Sequence, residues 1–201
     1  MYRSYICVFV MLLAVSGAAS AVPLNLTLDL PDITSGFIAV SYSSNVFTAS
    51  GYALSLEING VGGPDYVITN GMFNITGDID STGALQSGTL SITGTIPAYG
   101  AVSGTLLTGA ITSFGYPDAP GGEIFEFIAT GLSGDLAPIY GANAGVILGA
   151  SDTHFTGSFA QSFGNSGFGV ADTAPVVPEP ASLVLLAIGA LGLVGRRSFH
   201  R

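Results

Sequence analysis

The sequence predicts an all-β fold for the body of this chain, either a single antiparallel β-sandwich or a barrel-like domain. Two observations predict it: apolar and polar residues alternate over short stretches, and turn-forming residues separate those stretches. No segment of the body keeps a 3.6-residue apolar period over three turns, as a helix would. The clearest alternating segments are 24–30, 37–42, 52–58, 89–96 and 123–128, and weaker ones are 67–69, 72–76, 105–113, 144–148 and 154–159. About ten short strands at this spacing are typical of a sandwich or a barrel.

A short unit made of an apolar residue, Ser or Thr, and Gly recurs along the body. Its glycines are Gly77, Gly94, Gly104, Gly109, Gly134 and Gly157. Equal spacing would predict a stacked β-solenoid. Because the spacing is irregular, we expect strands that end in glycine turns instead.

The N-terminal end predicts a secretory signal peptide. Arg3 precedes an apolar stretch, and a run of small residues follows it. Ala19 and Ala21 fit the A-x-A pattern of a signal peptidase site, so the exported chain is expected to begin at Val22. The one cysteine, Cys7, leaves with this peptide. The exported part therefore has no thiol for a disulfide or for a cysteine metal site.

The charge of the exported body has a single sign. The chain has 13 acidic residues, and all of them except Glu179 lie within 22–178. The four basic residues lie outside that stretch: Arg3, Arg196, Arg197 and Arg201. Such a body is soluble and repels nucleic acid, so no nucleic-acid partner is expected. Hard oxygen ligands make Ca²⁺ the metal that these carboxylates suit.

One segment imitates part of a calcium-binding loop. Asp78, Asp80 and Thr82 place oxygen atoms at the first, third and fifth positions of an EF-hand pattern, and Gly83 takes the sixth. Thr89, at the twelfth position, cannot supply the bidentate carboxylate. We therefore predict an ordinary β-turn, with Asp78 and Asp80 as weak candidates for a Ca²⁺ site and no other cofactor.

Residues suited to catalysis are few, and the sequence predicts no enzyme. His154, with Asp152 two residues before it, has no G-x-S-x-G nucleophile elbow to work with. Glu123 and Glu126 are three residues apart, so on one strand they face opposite sides, which argues against a glycosidase pair. A hydrolase with dispersed carboxylates stays open as a third reading.

Six tyrosines of the body offer aromatic faces on which sugars could stack: Tyr42, Tyr52, Tyr66, Tyr99, Tyr116 and Tyr140. Tyrosine suits sheet faces and cores equally well, and the chain has no Trp. A carbohydrate- or calcium-binding adhesin module is therefore the alternative to a purely structural role.

The C-terminal end begins with a break and continues as an apolar run. Pro178 and Pro180 flank Glu179; proline cannot continue a helix from upstream, but it can open one. The uncharged run at 181–195 is rich in Leu, Ile and Val. As a helix it spans about 22 Å, short of a ~30 Å hydrocarbon core, so flanking residues contribute, the bilayer thins, or the span is weak. A short transmembrane helix of this kind suits an anchor that is held only until it is cut.

Arg196 and Arg197, followed by Arg201, end the tail with positive charge, which the positive-inside tendency keeps in the cytoplasm. Break, apolar helix and arginine cluster together resemble the tripartite tail of PEP-CTERM proteins, a tail also called the ice-binding protein C-terminal domain. The resemblance implies sorting and nothing about ice, because the body has only short pieces of the Thr-x-Thr rows that an ice-facing surface requires.

The resemblance also implies a partner and a destination. Pro178, Glu179 and Pro180 correspond to the motif that an exosortase, a membrane-embedded cysteine transpeptidase, recognises, and Arg196 and Arg197 to the membrane stop. Proteins of this family are exported through the inner membrane and remain in the cell envelope or outside the cell, in bacteria that make exopolysaccharide. The expected partners are thus signal peptidase and exosortase during export, the membrane transiently, and exopolysaccharide.

The sequence therefore predicts an exported, transiently membrane-anchored surface or extracellular-matrix protein with a non-catalytic structural role. Its predicted parts are a signal peptide at 1–21, an all-β extracytoplasmic domain at 22–174, a linker at 175–177 and the sorting tail at 178–201.

Overall fold

The fold is all-β, as predicted. A computed structural model describes residues 23–60, 63, 65–100, 102–116 and 123–177 of the chain. Within these residues there are ten strands and one short helix. The strands are β1 (Asp32–Ser43), β2 (Val46–Glu57), β3 (Asp65–Val67), β4 (Thr69–Ile79), β5 (Leu85–Ile96), β6 (Val102–Gly115), β7 (Ile124–Ser133), β8 (Asn143–Gly149), β9 (Phe163–Gly164) and β10 (Gly169–Pro175). The helix α1 (Ala137–Tyr140) connects β7 to β8.

Eight of these strands close into an antiparallel barrel. Their order is β2-β4-β5-β6-β7-β8-β10-β1, and β1 pairs again with β2 to close the circle. The short strands β3 and β9 add to β2 and β1. Of the two predicted architectures, the barrel is therefore the one that forms. Closure leaves the long strands without an unpaired edge.

One end of the barrel interior is filled by aromatic rings. Phe47 lies 5.3 Å from Phe125, and Phe155 lies 4.7 Å from Phe163, between ring centroids. The other rings of this inner cluster are Tyr42, Phe114, Tyr116, Phe127 and Phe159. Pairs at these distances are worth about 0.5–1.5 kcal/mol beyond the area they bury.

The strand predicted at 154–159 does not form, and this prediction was wrong. Residues 150–162 lie outside the strands, with Asp152 and His154 at φ of 57° and 61°. Left-handed backbone at these two positions breaks the extended conformation that a strand requires. Phe155 and Phe159 are buried all the same, because the segment folds over the aromatic end of the barrel.

The recurring glycines were expected in turns at the ends of strands. They lie inside strands more often, so this expectation was wrong. Gly77 faces Gly88 across β4 and β5, and Gly94 faces Gly104 across β5 and β6. A Cβ at Gly94 would lie 2.6 Å from Ile68 Cγ2. Ile68 thus lies too close to the backbone of β5 for any side chain at this position, and glycine permits the close approach.

The two ends of the described chain are paired with each other in a terminal clasp, which consists of residues 25–29 and 175–177. Leu28 forms a single antiparallel bridge with Val176, while Asp29 N–H donates to Pro175 O and Val177 N–H donates to Thr27 O. The alternation predicted as a strand at 24–30 is present in the burial pattern, but only this bridge forms. Of residues 175–177, predicted as a linker, Pro175 is the last residue of β10, Val176 forms the bridge with Leu28, and Val177 donates to Thr27.

Two residues of the barrel hold the clasp in place. The carboxylate of Glu126, only 7% exposed, accepts hydrogen bonds from the backbone N–H groups of Asn25 and Leu26, both at 3.0 Å. Gly145 of β8 lies under the clasp, where a Cβ would come within 2.6 Å of Leu28 Cδ2. The N-terminal segment is therefore fixed to the outer wall by a buried carboxylate and by a glycine that leaves it room.

The predicted signal helix at 1–21 and transmembrane helix at 181–195 lie outside the described residues. In the part of the chain that the structure describes, no helix has the length and apolar character needed to cross a bilayer.

Candidate functional site

The most unusual feature of the outer wall is a bulge in β1 that turns Phe37 toward solvent. Phe37 has φ of 53° and its side chain is 69% exposed. The register of β1 shifts here against both β10 and β2. A bulky residue with positive φ is uncommon and costs on the order of 1–3 kcal/mol, so the surrounding structure must impose it.

Glycines on both neighbouring strands make room for this bulge. A Cβ on Gly51 of β2 would lie 2.7 Å from Gly36 O, and a Cβ on Gly169 of β10 would lie 2.9 Å from Ile38 O. Neither position can carry a side chain without moving the bulge. The exposed position of the Phe37 ring thus depends on β1, β2 and β10 together.

A row of outward-facing residues crosses five strands at the level of the bulge. In order from β7 to β2 they are Ile124, Gly149, Val170, Gly36 and Tyr52, each directly paired with the next. Large side chains alternate with glycines along this row, and we call it the ridged row. Ile124, Val170 and Tyr52 are 49, 62 and 54% exposed. Around the bulge, Val170 and Tyr52 lie next to exposed Phe37, and clustered exposed apolar side chains of this kind mark contact surfaces.

A groove of about 390 Å³ runs beside the ridged row. Leu54, Phe168 and Val170 line it together with Phe37, and Gly36, Gly167 and Gly169 contribute backbone. The Phe37 and Tyr52 rings meet edge to face with centroids 6.5 Å apart. Among the residues that the structure describes, none of those lining this groove is charged.

Carboxylates lie next to the groove along β1 and β10. Asp32 and Asp172 line a second depression of about 280 Å³, which Asp29 and Ile147 also line. Burial, together with the nearby Asp172 carboxylate, raises the pKa of Asp32 to about 6. Burial also raises the pKa of Asp172. The outer wall thus carries an apolar aromatic region and an acidic region side by side.

The two candidate calcium ligands, Asp78 and Asp80, are not brought together into a binding site. Asp80 Oδ1 accepts hydrogen bonds from the Thr82 N–H and hydroxyl and from the Ala84 N–H, and its Oδ2 accepts one from Gln86. These bonds hold the pKa of Asp80 below its usual value. Asp78 is exposed on β4. Among the described residues no group of three or more His, Cys, Asp or Glu side chains has the geometry of a metal site.

The residues considered for catalysis serve structural contacts or face solvent. Glu123 Oε1 accepts from the Thr153 N–H and hydroxyl, both at 2.9 Å, at the aromatic end of the barrel. Glu126 binds the terminal clasp on the outer face, so the two carboxylates have separate partners. His154 and Asp152 lie exposed in the segment that follows β8.

The six tyrosines divide between interior and surface. Tyr42 and Tyr140 are buried and donate to Ile79 O and Thr173 O, and Tyr116 is buried in the inner cluster. The rings of Tyr66 and Tyr99 pack on each other with centroids 5.3 Å apart. Tyr52 alone of these six joins the ridged row.

Sequence reasoning missed Phe37, which was counted within the strand predicted at 37–42, and it did not single out Phe168. A signal was present in the glycines Gly36, Gly51 and Gly169. It could not be read without the strand pairing, because these glycines become neighbours only when β1, β2 and β10 are assembled.

Comparison with known families adds information on the tail. This is a protein with a C-terminal sorting signal: residues 176–198 match the family model of the PEP-CTERM protein-sorting motif. The motif indicates exosortase-dependent sorting of an exported protein, and it implies export across the inner membrane to the cell envelope or the extracellular space. The matched region includes Pro178, Glu179 and Pro180 and begins after the last strand of the barrel. Neither the curated proteins nor the solved structures include a match to this chain.

Proposed function

We propose that this protein is a non-catalytic component of the cell surface or extracellular matrix, which acts by contact through the outer wall of its barrel. The sorting tail supplies delivery, with a transient membrane anchor that an exosortase removes. The barrel supplies the contact surface that remains after delivery.

The observation that carries this proposal is the bulge at Phe37. The chain keeps a strained backbone and two flanking glycines in order to hold an apolar ring in solvent. Strain of this kind persists where it has a use. Glu123 and Glu126, the two carboxylates considered for a glycosidase pair, are instead engaged with backbone N–H groups.

Retention at the cell surface tests the proposal. We expect Phe37→Ser and Val170→Ser, produced in the native host, to be exported and processed normally but released to the medium several-fold more than the wild-type protein. Ile139→Ser, a matched change of an exposed apolar residue on α1, should be retained like wild type. Equal retention of all three variants would contradict a contact role for this face.

A second candidate function is binding of exopolysaccharide. It is favoured by the aromatic rings of Phe37 and Phe168, which line the groove, and by Tyr52, which packs on Phe37. The carboxylates of Asp32 and Asp172 line the neighbouring depression. Sugar rings stack on aromatic faces, and carboxylates accept hydrogen bonds from sugar hydroxyls.

Calorimetry with the host's own polysaccharide, with and without Ca²⁺, tests this second function. Binding that is lost in Tyr52→Ala and kept in Tyr99→Ala would support it. Heat of binding that is the same for both variants would place any sugar site elsewhere on the protein.

A further inference from the structure

We propose that the terminal clasp controls removal of the anchor, because an exosortase can bind the sorting motif only after the clasp opens. Glu126 is a positioning residue for this step, since it holds the N-terminal half of the clasp closed. The inference rests on the proposed function, in which an exosortase removes the anchor, and it names the contact that regulates that removal.

The sorting motif follows the clasp with no residue between them. Val177, the last residue of the clasp, is bonded to Pro178, the first residue of the motif. An extended chain covers about 3.5 Å per residue, so Ala181, where the apolar run begins, lies within about 14 Å of Val177. A closed clasp therefore keeps the barrel beside the membrane anchor, in the space that a membrane-embedded enzyme needs to reach the motif.

The residues just before the motif are already paired. Val177 N–H donates to Thr27 O at 2.9 Å, and Pro175 O accepts from Asp29 N–H at 3.1 Å. Extended peptides are bound largely through their main-chain N–H and C=O groups. The clasp and an enzyme that binds the chain just upstream of Pro178 therefore compete for the same backbone groups.

The clasp can open without unfolding the barrel. β10 pairs with β8 as far as Pro175, whereas Val176 and Val177 pair with the N-terminal segment. A single bridge near the end of a folded body belongs to the part of a structure that opens most often. Opening adds two residues to the free chain, which extends its reach from about 14 Å to about 21 Å.

Glu126 holds the N-terminal half of the clasp in place. Its neighbours on β7, Phe125 and Phe127, point into the barrel, so its carboxylate lies on the outer wall under the clasp. The two carboxylate oxygens accept from the N–H groups of Asn25 and Leu26, both at 3.0 Å. Hydrogen bonds to a charged acceptor are stronger than neutral ones. Opening exposes this carboxylate to water, so no unpaired charge stays buried in the wall.

A disulfide across the clasp tests the proposal in the host. Leu28 and Val176 form a pair of the non-hydrogen-bonded type, since Asp29 and Val177 make the flanking hydrogen bonds. Such pairs have Cα atoms about 4.5 Å apart, within the range that a disulfide spans. Leu28→Cys together with Val176→Cys therefore locks the clasp in an oxidising compartment. The one native cysteine, Cys7, belongs to the predicted signal peptide.

Pulse-labelling of the full chain in its host, with mass spectrometry of the C-terminus, measures processing, and thiol alkylation shows which molecules carry the disulfide. We expect the oxidised variant to keep its tail through Arg201, with processing at least tenfold slower than in wild type. A reductant added to the cells should restore processing to the wild-type rate or above, because cysteine packs less well than Leu28 and Val176. Wild-type processing of the oxidised variant would overturn the proposal.

Glu126→Gln should open the clasp more often. The NH₂ group of glutamine cannot accept a hydrogen bond, so Asn25 or Leu26 loses its partner. Cleavage that is slow relative to opening follows the open fraction, and we expect processing about tenfold faster than in wild type. Glu123→Gln is the matched control, since Glu123 also accepts from a backbone N–H, that of Thr153. It should be processed like wild type. Equal or slower processing of Glu126→Gln would contradict control by clasp opening.

Hydrogen exchange on the exported protein, collected from its host, measures opening without the enzyme. The N–H groups of Val177 and Asp29 should exchange at least a hundredfold faster than those of Val146 and Leu148 on β8. Glu126→Gln should accelerate exchange in the clasp and leave β8 unchanged. Equal protection of the clasp and β8 would mean that the clasp opens only with the whole barrel, which would also overturn the proposal.

These results distinguish failure of this inference from failure of the proposed function. If wild-type protein on the cell surface keeps Arg201, the anchor is not removed, and the transient anchor fails together with this inference. If wild type and the locked variant are processed equally fast, the clasp has no role and the proposed function stands. Retention of Phe37→Ser tests the contact role independently, because Phe37 lies outside the clasp.

Discussion

Aromatic residues occupy two regions of this molecule and behave in opposite ways. Inside the barrel, Phe47, Phe125 and Phe163 are buried and pack on one another. On the outer wall, Phe37 and Phe168 are 69 and 64% exposed. Phenylalanine therefore stabilises the fold in the interior and is held exposed to solvent on the outer wall.

The difference follows from strand direction and from one irregularity. On β7, Phe125 and Phe127 are two residues apart and point inward, as the two-residue period of a strand requires. On β1 the period fails at Phe37, because the bulge inserts one residue and its side chain faces outward. The register of each strand thus decides which rings point into the core. Phe37 is exposed because the bulge in β1 interrupts that register.

The largest expected effect separates the two regions by stability. Phe125 is fully buried within the inner cluster, so Phe125→Ala should lower the free energy of unfolding by about 3–5 kcal/mol. Phe37→Ala removes a side chain that is mostly in solvent and should change it by less than about 0.5 kcal/mol. Urea denaturation of both variants measures this. If both variants lost a similar free energy of unfolding, the outer rings would also stabilise the fold.

A glycine next to the bulge gives a smaller effect. A Cβ on Gly51 would lie 2.7 Å from Gly36 O and from Ile38 Cγ1, so Gly51→Ala should cost about 1–3 kcal/mol through overpacking. Gly149→Ala, on the same outer wall with its nearest atom at 3.9 Å, is the matched control and should be within about 0.5 kcal/mol of wild type. Equal midpoints for the two variants in urea would show that the bulge does not depend on Gly51.

The acidic part of the outer wall predicts a pH dependence of stability. The folded-state pKa of Asp32, about 6, lies above its ordinary value of 3.8, so the folded protein binds more protons between these pH values. The free energy of unfolding should therefore fall as the pH rises from 4 to 6, and this contribution should be level above that.

Asp32→Asn tests the assignment. Asparagine keeps the acceptor for the Thr173 N–H but carries no charge. The variant should therefore have a smaller slope, with the part due to Asp172 remaining, and should gain about 1 kcal/mol at pH 7 after allowance for solvent screening. Denaturation curves at pH 4, 5, 6 and 7 provide the measurement. An unchanged slope in Asp32→Asn would assign the pH dependence to other carboxylates.

The smallest effect concerns a polar atom within the interior. Thr173 Oγ1 is buried and has no hydrogen-bond partner among the described residues. Thr173→Val should raise the free energy of unfolding by up to about 1 kcal/mol, since an unpaired buried hydroxyl is unfavourable. Thr108→Val, whose hydroxyl donates to Leu90 O at 2.8 Å, should lower it by about 0.5–1.5 kcal/mol. Changes of the same sign in thermal denaturation would contradict this account.

Much of the fold could be predicted from local pattern. The segments 89–96 and 105–113 lie in β5 and β6, and 52–58 lies in β2 except for its last residue. Alternation predicts them because it reports directly on a wall with one apolar side. The segment 154–159 was predicted from the same kind of alternation but lies outside the strands, where its rings are buried without strand pairing. Alternation of apolar residues alone does not separate these two cases.

The candidate contact surface was beyond sequence reasoning for a different reason. Ile124 and Tyr52 are far apart in the chain and become parts of one row only through four ladders of strand pairing. The bulge depends on Gly51 and Gly169, which lie on two different strands. The sorting tail could be predicted because its three parts are contiguous in sequence.

The terminal clasp has a consequence for engineering the protein. Thr27 and Val177 are hydrogen-bonded neighbours, so the body begins and finishes at one place on the wall. A short peptide joining them, with a new opening in the turn between β1 and β2, would give a circular permutant with every ladder of the sheet intact. In that permutant the former ends become an internal hairpin. A reporter could then be attached either at that hairpin or at the new ends between β1 and β2.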